Sequence, residues 1–236
     1  MSGTLYLIPT YLSSANDRSF LAPMVLDVIK NTSYFVVENV RTSRRFISSL
    51  KLDVDISSLR FEVLDKNTSY EKADKILNPL KTGENIGIIS EAGLPGLADP
   101  GHMAVAYAHR HQLKVVPLPG PSSIQTAVIG SGFTGQQFTF HGYLPIQKSD
   151  RAKAIKNLSR DLKATGYTQV FMETPFRNTA LIKDLVAHLD PNQQLSVSAD
   201  IFGEQEFILT QSVKEWKMSN KDLHKIPAVF CLGQLP

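Results

Sequence analysis

The sequence predicts an α/β protein built as two α/β domains, residues 1–117 and 118–236, and three observations carry that expectation. Short β-rich runs alternate with helical patterns along the whole chain. Two loops of small residues each follow an apolar run, which is where an open sheet of mainly parallel strands places a ligand. Two proline-glycine turns within residues 117–121 interrupt the alternation near the middle and mark a boundary. With 236 residues, of which 42% are hydrophobic, the chain has enough apolar material for a core in each half.

Taken in order, residues 4–8 read as a strand, 20–31 as a helix, 34–37 as a strand and 41–50 as a helix. A helix over 70–80, a strand over 86–90, a helix over 102–111 and a strand over 113–116 complete the first set, and the sheet they form is expected to be largely parallel. A helix over 122–131 runs into the Gly-rich break SGFTG, after which a strand begins at 138–142. The second set continues with a helix over 149–165, a strand over 169–173, a helix over 178–189 and a strand over 194–199. Residues 206–216 read as a turn leading to a helix or hairpin, and 228–232 as the last strand. Arg151, Lys153, Lys156, Arg160 and Lys163 make 149–165 the most basic stretch, which reads as a solvated helix face before it reads as an RNA contact.

The most specific segment is residues 90–101, SEAGLPGLADPG. Three glycines and two prolines in these twelve residues allow the backbone to approach a bound molecule closely, and Glu91 and Asp99 add acceptors. The second loop, PLPGPSS at 117–123, adds the hydroxyls of Ser122 and Ser123. Other chemistries lack their residues: there is no HExxH, no pair of CxxC motifs, no GxSxG, no GxxxxGKS, and no GxGxxG after the first strand. His109 and His111 read as surface residues, so no metal site is expected. The lone Cys231 lies in an apolar run and reads as a core thiol. Net charge is only +3, and no segment approaches the ~20 apolar residues of a membrane span. A cytoplasmic protein without a membrane partner is expected.

Five segments, taken in order, resemble one family. They are GTLYLIPT (3–10), ISEAGLPGLADPG (89–101), VPLPGPSS (116–123), FTFHGYLP (138–145) and METPFR (172–177). Together they are similar to the tetrapyrrole-methylase-like, or class III, S-adenosylmethionine-dependent methyltransferases. Within that family the pattern is closest to the ribosomal RNA small subunit methyltransferase I group, which methylates a cytidine 2′-hydroxyl of 16S rRNA. The resemblance runs from residue 3 to the final IPAVFCLG.

That resemblance implies the tetrapyrrole methylase fold, S-adenosyl-L-methionine as cofactor in the interdomain cleft, and a homodimer. Its implied donor contacts are Pro9, Ser90, Glu91, Ala92, Gly93, Ser122, Ser123, Met172, Pro227 and Ala228. Met172 reads equally as an ordinary core residue, and the prolines also serve as turn formers. A ribose hydroxyl needs a base, for which Glu38, Glu91, Glu173 and Glu204 are candidates, with Arg41 and Arg177 to grip phosphate. Glu91, Glu173 and Arg177 stand inside the motifs and are the catalytic choices.

Three segments depart from the rRNA group's pattern: the loop YLSSANDRSF (11–20), which would face the acceptor, VENVRTSRRF (37–46), and SADIFGEQEF (198–207), where an arginine, a glutamate and a lysine are replaced. Expected partners are therefore rRNA or the small ribosomal subunit, with a small molecule such as a tetrapyrrole, or donor binding with lost catalysis, as alternatives.

Overall fold

The computed structural model describes residues 2–15 and 17–236; Met1, and Asn16 in the departing loop after the first strand, lie outside the described residues. The chain forms two compact units, Met1–Ser122 and Ser123–Pro236. The division falls beyond the 117/118 boundary that the proline-glycine turns predict. Leu118 stays with the first unit because its amide donates to the Leu7 carbonyl at 3.0 Å and its side chain is buried in the cluster that holds Ile8 and Ile89.

Five strands build the first unit: β1 (Thr4–Ile8), β2 (Tyr34–Val37), β3 (Arg60–Val63), β4 (Ile86–Ile89) and β5 (Lys114–Pro117), in the order β3-β2-β4-β1-β5. Every pairing is parallel. Its helices are α1 (Pro23–Lys30), α2 (Val40–Ser49), α3 (Tyr70–Leu77) and α4 (His102–Arg110). The apolar run YFVV of β2 is buried at all four positions because both faces of the sheet are covered. Tyr34 and Val36 pack with α3 and α4, while Phe35 and Val37 pack with α1 and α2.

Helix α1 starts at Pro23, later than the apolar periodicity predicts. Proline at the first helical position has no amide to waste and a fixed φ suited to the start. The preceding Arg18–Phe20 is a separate 3-10 turn capped by Asp17, whose carboxylate accepts the Ser19 amide at 2.8 Å. Strand β3 lies in a stretch that the sequence reading leaves unassigned. It is a short edge strand, anchored by the Arg60 guanidinium 3.8 Å over the Tyr34 ring. The Tyr34 hydroxyl donates to the Ile76 carbonyl at 2.8 Å, and burial pushes that phenol up to about 12.

The second unit begins with α5 (Ser123–Ser131) and β6 (Phe138–Tyr143), then α6 (Lys148–Thr165), β7 (Thr168–Glu173), α7 (Asn178–His188), β8 (Gln194–Ala199), β9 (Phe207–Ser212), α8 (Val213–Met218) and β10 (Ala228–Gly233). Its sheet runs β6-β7-β10-β8-β9. Here, unlike in the first sheet, only β6 and β7 are parallel, and the other three pairings are antiparallel. The reason is local. No helix separates β8 from β9, so the chain turns back directly, with Asp200 and Phe202 at positive φ and the Asp200 and Glu206 carboxylates accepting the Gln205 and Phe202 amides. A capping box between Ser212 and Glu215 then starts α8 at once.

One core cluster fills this unit, with Phe171 and Phe230 stacked at 5.6 Å. Arg151 departs from the solvated reading of α6. It is buried, pairs with Asp184 of α7 at 2.6 Å, and donates to the Ile146 carbonyl at 2.8 Å, tying the loop before α6 to α7. No helix among the described residues is long and apolar enough to cross a membrane.

Candidate active site

Because all five strands of the first unit run the same way, their carboxyl ends share one edge of the sheet, and the loops after neighbouring strands β4, β1 and β5 meet there. Pro9 and Thr10 follow β1, residues 90–101 follow β4, and residues 118–122 follow β5. The Thr10 amide donates to the Gly93 carbonyl at 3.0 Å, and the buried Ser90 hydroxyl donates to the same carbonyl at 3.1 Å. Gly93 sits at φ +72°, and a β-carbon there would lie 3.0 Å from the Pro121 carbonyl oxygen. A β-carbon on Gly120 would come within 2.2 Å of Pro9 Cβ. The three loops therefore interlock only with glycine at both positions.

This brings Pro9, Ser90, Glu91, Ala92, Gly93 and Ser122 of the expected donor set together. Pro9, Ser90, Gly93 and Ser122 are buried, while Glu91 and Ala92 are exposed on top of the loop. Asp99 does not stand free as an acceptor. Its Oδ1 takes the Gly96 and Gly101 amides, both at 2.7 Å, and so shapes the loop itself.

Carboxylates gather at the mouth. Glu38, at the end of β2, lines one cavity with Asp65, Glu91 and Asp99. Burial raises the Glu38 carboxyl above its ordinary value, with Asp99 and then Glu91 and Asp65 adding repulsion that the Glu91 backbone amide relieves in part. Glu91 Oε1 accepts the Thr42 hydroxyl at 2.5 Å. Thr42 is placed by α2, whose first turn is capped by Asn39 through the Arg41 amide at 2.9 Å.

A second cavity, of about 390 Å³, opens on the other side of Glu91 and is lined by residues after β1 and along α2, among them Thr10, Tyr11, Ser43, Arg45 and Phe46. In the sequence these positions fall in the first motif (Thr10) and in the departing segments 11–20 and 37–46. They come together only because β1 and β4 are adjacent, a pairing that local sequence does not announce.

The remaining expected residues belong to the second unit. Glu173, at the end of β7, is buried, and its Oε1 accepts the Thr174 amide at 2.6 Å and the Arg177 Nε and Nη2 at 2.9 and 2.5 Å. Ala228 pairs with Glu173 on one side and with Ala199 on the other. Met172 is half-buried opposite Val229, and the Pro227 carbonyl accepts the Asp200 amide at 2.9 Å. Ser123 opens α5. Glu204 stands exposed on the turn between β8 and β9.

The tetrapyrrole (corrin/porphyrin) methylase family matches residues 17–216, which is most of the chain. The chain belongs to that family. It is a methyltransferase. Among curated relatives of this methylase, the ribosomal RNA small subunit methyltransferase I of Buchnera aphidicola subsp. Schizaphis graminum is 29% identical over 207 residues, covering 88% of this chain and 68% of its own. The protein of the same name from Micromonospora olivasterospora is 34% identical over 188 residues, covering 80% of this chain and 56% of its own. Among solved structures, the methyltransferase CobJ superposes over 99% of this chain and 95% of its own with a TM-score of 0.63 at 14% identity. The uroporphyrin III C-methyltransferase of Thermus thermophilus covers 98% of both chains with a TM-score of 0.55 at 15% identity. At such identities these two structures bear on fold alone.

Proposed function

We propose that this methylase transfers a methyl group from S-adenosylmethionine to a ribose 2′-hydroxyl of small-subunit ribosomal RNA. The observation that carries the substrate is that the curated relatives matching 80% or more of the chain are named for small-subunit rRNA. A ribosomal substrate puts the enzyme in the cytoplasm. We also propose a homodimer, supported by the exposed apolar side chains Phe138, Tyr143 and Ile146 on and beside the edge strand β6.

The first unit fits the donor. Glycine at 93 and 120 lets the three loops pack backbone against backbone, and of residues 90–93 only Glu91 and Ala92 are exposed. When bound, the donor supplies a methyl group already activated on a sulfonium. The chain's own task is then to hold, align and take up a proton. Ser90, Pro9 and Thr10 fix the loop. The acidic mouth of Glu38, Glu91 and Asp99 favours a cationic group. Glu91, steadied by Thr42, accepts the proton that the ribose hydroxyl loses as it attacks. Of the second unit's expected contacts, Met172, Ser123, Pro227 and Ala228 enter this reading as donor contacts to be tested by substitution. Glu173 and Arg177 enter it as a pair whose first task is to hold each other.

Incubation of the purified protein with tritiated S-adenosylmethionine and small ribosomal subunits from a strain lacking the protein tests the proposal. Label recovered in RNA supports it. Label recovered in protein or nowhere, with donor binding intact by calorimetry, overturns the substrate and leaves the donor.

A further inference from the structure

The cavity between the loop after β1 and helix α2 carries chemistry that donor binding does not use. Thr10 and Ser43 line its floor, and both residues are more than nine-tenths buried. Neither hydroxyl has a hydrogen-bond partner among the described residues. A buried hydroxyl left unpaired is a standing penalty, which a ligand group reaching it would remove.

Above that floor, the Tyr11 and Phe46 rings meet edge to face at 5.1 Å, with the Tyr11 hydroxyl beside Ser49. Arg45 stands exposed at the rim and joins no ion pair among the described residues. The opposite wall is Ser90, Glu91 and Ala92, the loop assigned to the donor. Neutral hydroxyls, one unpaired guanidinium and an aromatic pair match a polyhydroxylated group that carries one phosphate and a flat ring.

We propose that this cavity is the acceptor subsite and takes one RNA nucleotide, its ribose against Thr10 and Ser43, its phosphate on Arg45 and its base along Tyr11 and Phe46. The proposal rests on the RNA reading above and adds the residues that recognise the acceptor. It also gives the departing loop after β1 a role, since that loop forms one side of the subsite.

Variants Arg45→Gln and Ser43→Ala of the full chain test it. Each is measured for KM and kcat on unmethylated small subunits, for donor affinity by calorimetry and for thermal stability. Arg45→Gln is expected to raise KM about tenfold and to lower the salt slope of binding by about one, with donor affinity unchanged. Ser43→Ala is expected to raise KM while raising the melting temperature, because it deletes an unpaired buried hydroxyl; a merely structural serine would not give opposite signs. Unchanged KM in both variants, or a parallel fall in donor affinity, overturns the subsite and leaves the RNA reading standing. No transfer to RNA by the unaltered protein overturns both.

Discussion

Arg177 donates twice to a single carboxylate oxygen of Glu173, from Nε at 2.9 Å and Nη2 at 2.5 Å, while the carboxylate side chain is 1% exposed. Two residues that motif reading places in catalysis thus pair with one another at the end of β7, while the buried Glu173 Oε2 has no hydrogen-bond partner among the described residues. Arg177→Met would leave a buried charge without its partner, and the expected loss is about 3–5 kcal/mol of stability. Chemical denaturation of the two proteins measures it. A loss well under that, together with a large fall in kcat, would instead make Arg177 a residue of the reaction.

Arg151 and Asp184 form the second buried pair, with side chains 11% and 13% exposed. Asp184→Ala leaves the guanidinium tied only to the Pro145 and Ile146 carbonyls. A comparable loss of about 3–5 kcal/mol is expected, with faster proteolysis of the loop that Arg151 holds before α6.

Gly93 and Gly120 carry the shape of the loop proposed to hold the donor. Gly93→Ala forces an L side chain into the left-handed region, at a cost of about 1–2 kcal/mol, against a carbonyl 3.0 Å away. The free loop is expected to shift to relieve this, so that binding must restore the strained shape and donor affinity falls about tenfold, as 1.4 kcal/mol is a factor of ten. Calorimetric titration of the variant with S-adenosylmethionine gives the number directly. Wild-type affinity would show that the loop's shape is not what holds the donor.

Much of this was legible in the sequence. Each strand of the first unit except β3 lies where apolar runs predict, since YFVV and IGII are buried on both faces and leave little alternative. The loops that now interlock were legible as well, because small residues mark them. What could not be read is whatever depends on adjacency across the sheet. Thr10 and Ser43 share a cavity through the order β2-β4-β1, and Arg151 leaves its basic helix face only because Asp184 waits on a neighbouring helix. The strand directions of the second sheet could not be read for a related reason: direct reversal between β8 and β9 rests on positive φ at Asp200 and Phe202, neither of them glycine.

Glu38 makes the folded protein sensitive to pH. Its carboxyl is raised, so its protonated form favours the fold, and that contribution is complete below its ordinary value of 4.5 and lost as the pH climbs through the raised value. Glu38→Gln, which stays neutral throughout, should therefore raise the melting temperature near neutral pH and give no gain in acid. A gain that is constant with pH would contradict the assigned cause.

Cys231 is buried in β10, and burial pushes its thiol up to about 12. Alkylating reagents should leave it unmodified in the native protein at neutral pH and label it fully in denaturant, since the thiolate is the reactive form. Mass spectrometry after each treatment distinguishes the two.

The most direct test of the central claim is nucleoside mass spectrometry of RNA recovered from unmethylated small subunits after incubation with the protein and S-adenosylmethionine bearing a deuterated methyl group. The account predicts a deuterated 2′-O-methyl nucleoside that appears with the unaltered protein and is strongly reduced with Gly93→Ala. Deuterium on a base, or none in RNA while donor binding persists, would contradict it.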